Sequence, residues 1–220
     1  MKRGHRATFW ASTFKHNVKK QRYERETILH PEQNLTLRFL KSKPYSKNIS
    51  FKRLLSHRNY ANTIIDAFDR QDDLPDIIML AFPPIKLADS ISAWSNKHDI
   101  PCIVDIIDPW PDVFAKHLNY LPGLVFTPLQ RSVSKMMKRV SAVTAISNQY
   151  IEWAKDYNPH LQQTKCFYPA VQFKQIQKEI TIARQKVDKD PDSFEVIYAG
   201  SLGYLYDIST ILEAAAVLED

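Results

Sequence analysis

The sequence predicts an α/β protein built on a parallel sheet, and three observations carry that expectation. Short apolar runs alternate with helical patterns along most of the 220 residues, the signature of strands joined by crossover helices. One run, Cys102-Ile-Val-Asp-Ile-Ile-Asp-Pro-Trp-Pro-Asp112, follows a helical pattern and ends in a proline corner, as a buried parallel strand does where it is stopped. A later run, over 194–199, passes into a glycine turn and then a second helical pattern.

Taken in order, the first residues read as the last turn of a helix ended at Gly4, followed by a strand over 6–10. The polar, basic span 11–33 reads as a long loop at the carboxyl end of that strand, where loops tend to bind ligands. A short strand over 35–40 and a polar loop over 41–50 follow. Ser50 is the expected N-cap of a helix over 51–70, with Leu54, Leu55, Ala61, Ile64, Ile65 and Phe68 as its buried stripe. A strand over 76–82 is stopped by Pro83-Pro84, and a helix over 85–97 leads to the strand that opens at Cys102. Beyond Trp110 come a short helical segment, a turn at Pro122-Gly123, a helix over 128–140, a strand over 141–147, a helix over 148–156 and a short strand over 165–168.

The charged, helical span 172–192, ending in Asp-Lys-Asp-Pro-Asp, reads as a connector between domains. A strand, the turn Gly200-Ser201-Leu202-Gly203 and a helix over 207–218 follow it. The expected division is a first domain over 1–171, a linker over 172–192 and the start of a second α/β domain over 193–220.

A hydrophobic content of 44 % is enough for a real core and argues against disorder. The net charge of +6 and a pI near 9.2 suit an anionic partner: nucleic acid, an acidic membrane surface or a phosphorylated small molecule. The clusters Lys15, Lys19, Lys20, Arg22, Arg25 and Lys135, Lys138, Arg139 read as solvated faces. The aromatic residues form no stacking ladder, so no nucleic-acid partner is expected. Cys102 and Cys166 sit in apolar runs without metal-ligand spacing and read as buried thiols of a reducing compartment. No apolar run approaches the ~20 residues of a membrane span, and the N-terminus lacks a signal-peptide core. A cytoplasmic protein is expected, with any membrane contact peripheral, at the inner face.

Asp108 falls at the carboxyl end of its strand, the edge where open α/β sheets bind ligands. It reads equally as a general base toward a hydroxyl or as the cap of the short helix after Pro109. Asp105, an acid within an apolar strand, either caps a loop or has a binding role. Three residues apart on one strand, the two acids face opposite ways and are not a carboxylate pair. His16 reads as a surface residue, and His5, His57, His98, His117 and His160 show no ligand spacing, so no metal is expected. Ser147 lacks the glycines of a nucleophile elbow. The 200–203 turn could offer backbone N–H groups to a phosphate or serve the fold alone.

Together these stretches resemble glycosyltransferases of the GT-B fold, family 4, of the bacterial surface-polysaccharide kind. The matching pieces are Lys2-Arg-Gly-His5, Phe14-Lys-His-Asn17 with Lys19-Lys20, Pro44-Tyr45 with Asn48 and Arg53, Phe82-Pro-Pro84, Val104-Asp-Ile-Ile-Asp-Pro-Trp-Pro-Asp112, Ala145-Ile-Ser147 and Tyr198-Ala-Gly-Ser-Leu-Gly203. They stand in the family's order, and Asp-x-x-Asp-x-Trp-Pro is the most specific. The resemblance implies two Rossmann-like domains facing across a cleft, an acceptor-side domain first and a nucleotide-sugar-binding domain second. It implies transfer of a sugar, without a metal or other cofactor, from a nucleotide-sugar donor to a lipid-linked or glycan acceptor in envelope polysaccharide synthesis. Asp108 would be the acceptor-side acid, His16, Asn17, Asp105 and Trp110 would line the same rim, and Gly200, Ser201, Leu202 and Gly203 would hold the donor phosphates.

Two departures stand beside the likeness. Ile107 occupies the place where this group usually has Arg. The family's first strand with its glycine-rich loop would precede Met1, and its acidic donor motif would follow Asp220. The chain alone is therefore expected to show no transfer, and the alternative reading is a non-catalytic fragment or a subunit that needs a separate donor-binding partner.

Overall fold

The structure is a computed structural model that describes residues 4–46, 51–117, 123–184, 195–200, 202 and 207–218. It divides into two compact units, Met1–Pro169 and Ala170–Asp220.

The first unit is α/β. Its centre is a four-stranded parallel sheet of β6 (Ile78–Phe82), β7 (Cys102–Ile106), β8 (Ala142–Ala145) and β9 (Thr164–Cys166), paired in that order. The connections run through α2 (Ile85–Lys97), then α3 (Asp112–His117) and α4 (Thr127–Met137), then α5 (Asn148–Tyr157). Each crossover steps to the next strand in the same direction, so right-handed connections lay these helices on one face of the sheet. Alternation then fixes which side chains enter the core: Leu80, Phe82, Val104, Ile106, Val143 and Ala145 are all buried. Val133, Met136 and Met137 of α4 and Ile151 and Ala154 of α5 complete that layer. Ser147 caps α5 by accepting from the Tyr150 N–H. Met79 and Ala81, pointing the other way from β6, are exposed.

The expectation of one continuous parallel sheet is corrected at the N-terminal side. β1 (Ala7–Ser12) pairs parallel with β5 (Leu35–Leu40), and β4 (Thr27–Glu32) pairs antiparallel with β5 in a separate three-stranded sheet. The span expected to be a loop over 11–33 also holds a two-stranded ribbon, β2 (Phe14–Lys15) and β3 (Lys20–Gln21). β4 carries His30, Pro31 and Glu32 and is exposed along most of its length, a composition tolerated only on an edge, where proline leaves no ladder bond unmade. Among the described residues no ladder joins β1 to β6.

Helix α1 (Phe51–Phe68) ties the two sheets into one core. Phe68 stands edge-on to Trp10 of β1, with ring centroids 5.1 Å apart, and meets Trp94 of α2 at 4.9 Å. The expected stripe holds at Ala61, Ile64 and Phe68. It fails at Leu54 and Leu55, which are 48 % and 42 % exposed, while Ser56 is buried and donates to the Lys43 carbonyl. The first two turns of α1 turn a polar face inward. Its expected cap, Ser50, lies outside the described residues.

Other boundaries move by a few residues. The strand from Cys102 stops at Ile106, and the expected 165–168 strand is Thr164–Cys166, leaving Phe167 and Tyr168 exposed. Cys102 is buried as expected, whereas Cys166 is only partly so; both are free thiols. Burial pushes the Cys102 thiol up to about 11. Gly4 has the left-handed φ of 79° expected of a helix-ending glycine, and the residues before it lie outside the described ones, as does Pro122.

In the second unit α6 (Phe173–Arg184) lies inside the expected connector, and α7 (Ile208–Val217) begins after Asp207. Residues 195–199 form no strand, because a strand needs a partner to pair with and among the described residues none is present. No helix among the described residues is long and apolar enough to cross a membrane.

Candidate functional site

The carboxyl end of β7 carries the corner of the site. After Ile106 the Ile107 N–H donates to the Phe82 carbonyl at 2.9 Å, and the chain bends so that the Trp110 N–H donates to the Asp108 carbonyl at 2.9 Å. The Asp108 side chain is exposed and, among the described residues, accepts no hydrogen bond. The amides of Val113 and Phe114 donate instead to the carbonyls of Pro109 and Pro111. Asp105 lies in mid-strand, in register with Ala81 and Thr144, and accepts a bond from the Thr144 hydroxyl. The two acids thus have different surroundings, one tied into the sheet and the other open to solvent beyond its edge.

Asp112 fixes the corner, a role not read from the sequence. Its Oδ1 accepts from Gln130 Nε2 at 2.7 Å, and its Oδ2 accepts from Trp153 Nε1 at 2.7 Å and the Tyr157 hydroxyl at 2.6 Å. One carboxylate thereby joins α3 to α4 and α5, and donors aimed at an ionised acceptor make the stronger class of bond. Burial, and then the bond to Asp112, raise the Tyr157 phenol above its ordinary range. The tie holds in place the turn that presents Asp108 and Trp110.

Trp110 packs edge-on to Phe114 at 4.7 Å and takes the Arg53 guanidinium over its ring at 5.1 Å. Arg53 also lies 5.7 Å from the Tyr45 ring, and the Lys19 ammonium lies 4.7 Å from the same ring. Tyr45 is buried against Phe14 at 4.9 Å and meets the His57 ring edge-on at 6.0 Å. Burial foremost, then the positive charges of Arg53 and His16, push His57 down to about 4. A wall of aromatic rings and basic side chains therefore runs from Trp110 to the β2–β3 turn.

Among the expected site residues, Trp110 and His16 join this wall. Asn17 is exposed, and its side-chain oxygen accepts from the Val18 N–H at 3.0 Å within its own turn. Asp105 is held in the β7–β8 ladder. In the second unit the Tyr198 ring covers Gly200, where a Cβ would come 2.5 Å from the phenol oxygen. Leu202 is exposed, and Ser201 and Gly203 lie outside the described residues. Asp207 already occupies the α7 N-terminus, accepting from the Thr210 N–H at 3.3 Å. Its bonds from Ser209 and Thr210 lower its carboxyl below the usual range.

The sequence reading missed His57, Tyr45 and Tyr60 as a set. The signal was available: Arg53, His57 and Tyr60 follow i, i+4, i+7 spacing and continue the Ile64–Phe68 stripe toward the helix N-terminus. The Tyr60 hydroxyl is buried with no partner among the described residues, and burial raises its pKa. Among the described residues no three His, Cys, Asp or Glu side chains gather as metal ligands would. Compared with known proteins, the chain matches no family model and no curated sequence.

Proposed function

We propose that the chain forms the acceptor side of a GT-B, family 4-like glycosyltransferase, moving a sugar from a nucleotide-sugar to a lipid-linked or glycan acceptor in envelope polysaccharide synthesis. The observation that carries this reading is Asp108: an exposed carboxylate that accepts no hydrogen bond among the described residues, just past the carboxyl end of a parallel strand and two residues from an aromatic, Arg53-backed wall. A carboxylate so placed can take the proton of an acceptor hydroxyl, while Trp110 offers a flat surface to a sugar ring.

In the transfer-competent enzyme, Asp108→Asn should lower turnover about a hundredfold or more with nucleotide-sugar binding kept, the scale of a lost general base. Equal loss of turnover and donor binding would point to a structural role instead. A second reading, a subunit or fragment whose donor side is completed by another chain, is supported by α7, in which no residue is buried. Sugar transfer by the purified chain alone would overturn that second reading.

A further inference from the structure

Arg53 and His57 stand one turn apart on α1, and the turn between β2 and β3 brings His16 and Lys19 to the same place. Two segments distant in sequence thus contribute basic groups to one patch, and the loop before α1 supplies the Tyr45 ring between them. The charges acting on His57 come from Arg53 and His16, both of which oppose its protonation. A half-buried cluster of basic groups lined by aromatic rings suits an anion, which gains from several positive donors at once. Arginine has the planar fork that takes two phosphate oxygens at once, and imidazole and ammonium groups add single donors.

We propose that Arg53, His57, His16 and Lys19 bind a phosphate group of the acceptor, with Tyr45 and Trp110 as the aromatic walls of the site. Naming the acceptor as the carrier rests on the transferase reading; the phosphate site itself does not. The group would sit on the same wall as Trp110, so a phosphate-bearing acceptor anchored there would direct its hydroxyl end toward the Asp108 corner.

The test is titration of the full chain with inorganic pyrophosphate near pH 6, followed by the imidazole C2 proton signals, with His57 assigned from the His57→Gln spectrum. Binding should move the His57 signal and raise its titration midpoint by about one unit, since a bound anion favours the imidazolium. Arg53→Gln should weaken binding about tenfold and the exposed His16→Gln about threefold, as expected for losing a bidentate and a single charged donor. In a second arm, vesicles of phosphatidylglycerol in phosphatidylcholine replace pyrophosphate. Vesicle binding weakened by the same variants would assign a lipid headgroup as the source, and pyrophosphate binding alone a water-soluble one. The site is refuted if neither probe binds, or if His16→Gln and a folded Arg53→Gln both bind like the parent. If Arg53→Gln does not fold, His16→Gln and the His57 signal decide. Pyrophosphate binding by the chain, together with an Asp108→Asn transfer-competent enzyme whose turnover matches the parent, would sink the transferase reading and leave the site standing.

Discussion

The Arg53 guanidinium lies 5.1 Å from the centroid of the Trp110 ring, joining a helix of the N-terminal half to the corner after β7. A partly desolvated cation over indole is attractive because the ring face is electron-rich, and the contact is worth about 1 kcal/mol. Arg53→Lys keeps the charge and gives up the planar stack. It should lower stability by about 1 kcal/mol in the parent and by clearly less in a Trp110→Leu background, where the contact with the Tyr45 ring remains. Urea midpoints of the four proteins measure this; strictly additive losses would show that the two side chains do not interact.

His57 makes stability depend on acid. Its folded-state value of about 4 lies below the ordinary 6.5, so between these values the unfolded chain binds the extra proton and the folded chain resists it. Stability is then full above about pH 6.5 and falls as the pH drops toward about 4. The groups facing His57 are Arg53 on its own helix, His16 on the β2–β3 turn and the Tyr45 ring. With screening at this partly open position, the loss attributable to His57 should be about 1–2 kcal/mol. His57→Gln should flatten the dependence in this interval, as read by thermal midpoints from pH 7 to pH 4; an unchanged slope would mean other groups carry it.

Much of the first unit was legible because β6, β7 and β8 are largely apolar, bury alternate residues and are separated by amphipathic helices, so periodicity and burial agree. β4 was not, since its exposed, polar sequence and the short Gln33-Asn34 turn lack both alternation and a glycine signal. Nor could the sequence show that, among the described residues, no ladder joins β1 to β6: pairing is a long-range property, and exposed Phe9 and Met79 look like any other strand residues when read in line. The candidate site divides the same way. Asp108 and Trp110 follow from a strand end and a proline corner. The partners Arg53 and His57 come from the start of a helix whose buried stripe was expected to pass through Leu54 and Leu55, an apolar face that the fold does not use there. Local pattern found the strand end; only folding brought a distant helix to it.

Asp112 separates loss of charge from loss of hydrogen bonding. Three donors from two helices converge on its carboxylate. In Asp112→Asn the remaining carbonyl oxygen can still accept from Trp153 and Tyr157, and the Gln130 amide can turn over so that its own oxygen meets the new amide. Only charge assistance is lost, about 1 kcal/mol. In Asp112→Ala three donors lose their acceptor together, and the half-buried indole N–H and phenol are poorly placed to recruit water, so the loss should be about 3 kcal/mol. Urea unfolding of the two variants gives both numbers. The Trp110 environment gives a second readout, because the tie acts on the corner: near-ultraviolet circular dichroism of the folded Ala variant should change, while that of the Asn variant should match the parent. Equal destabilisation by Asn and Ala would mean that charge, rather than the three-way hydrogen bonding, holds the corner that presents Asp108.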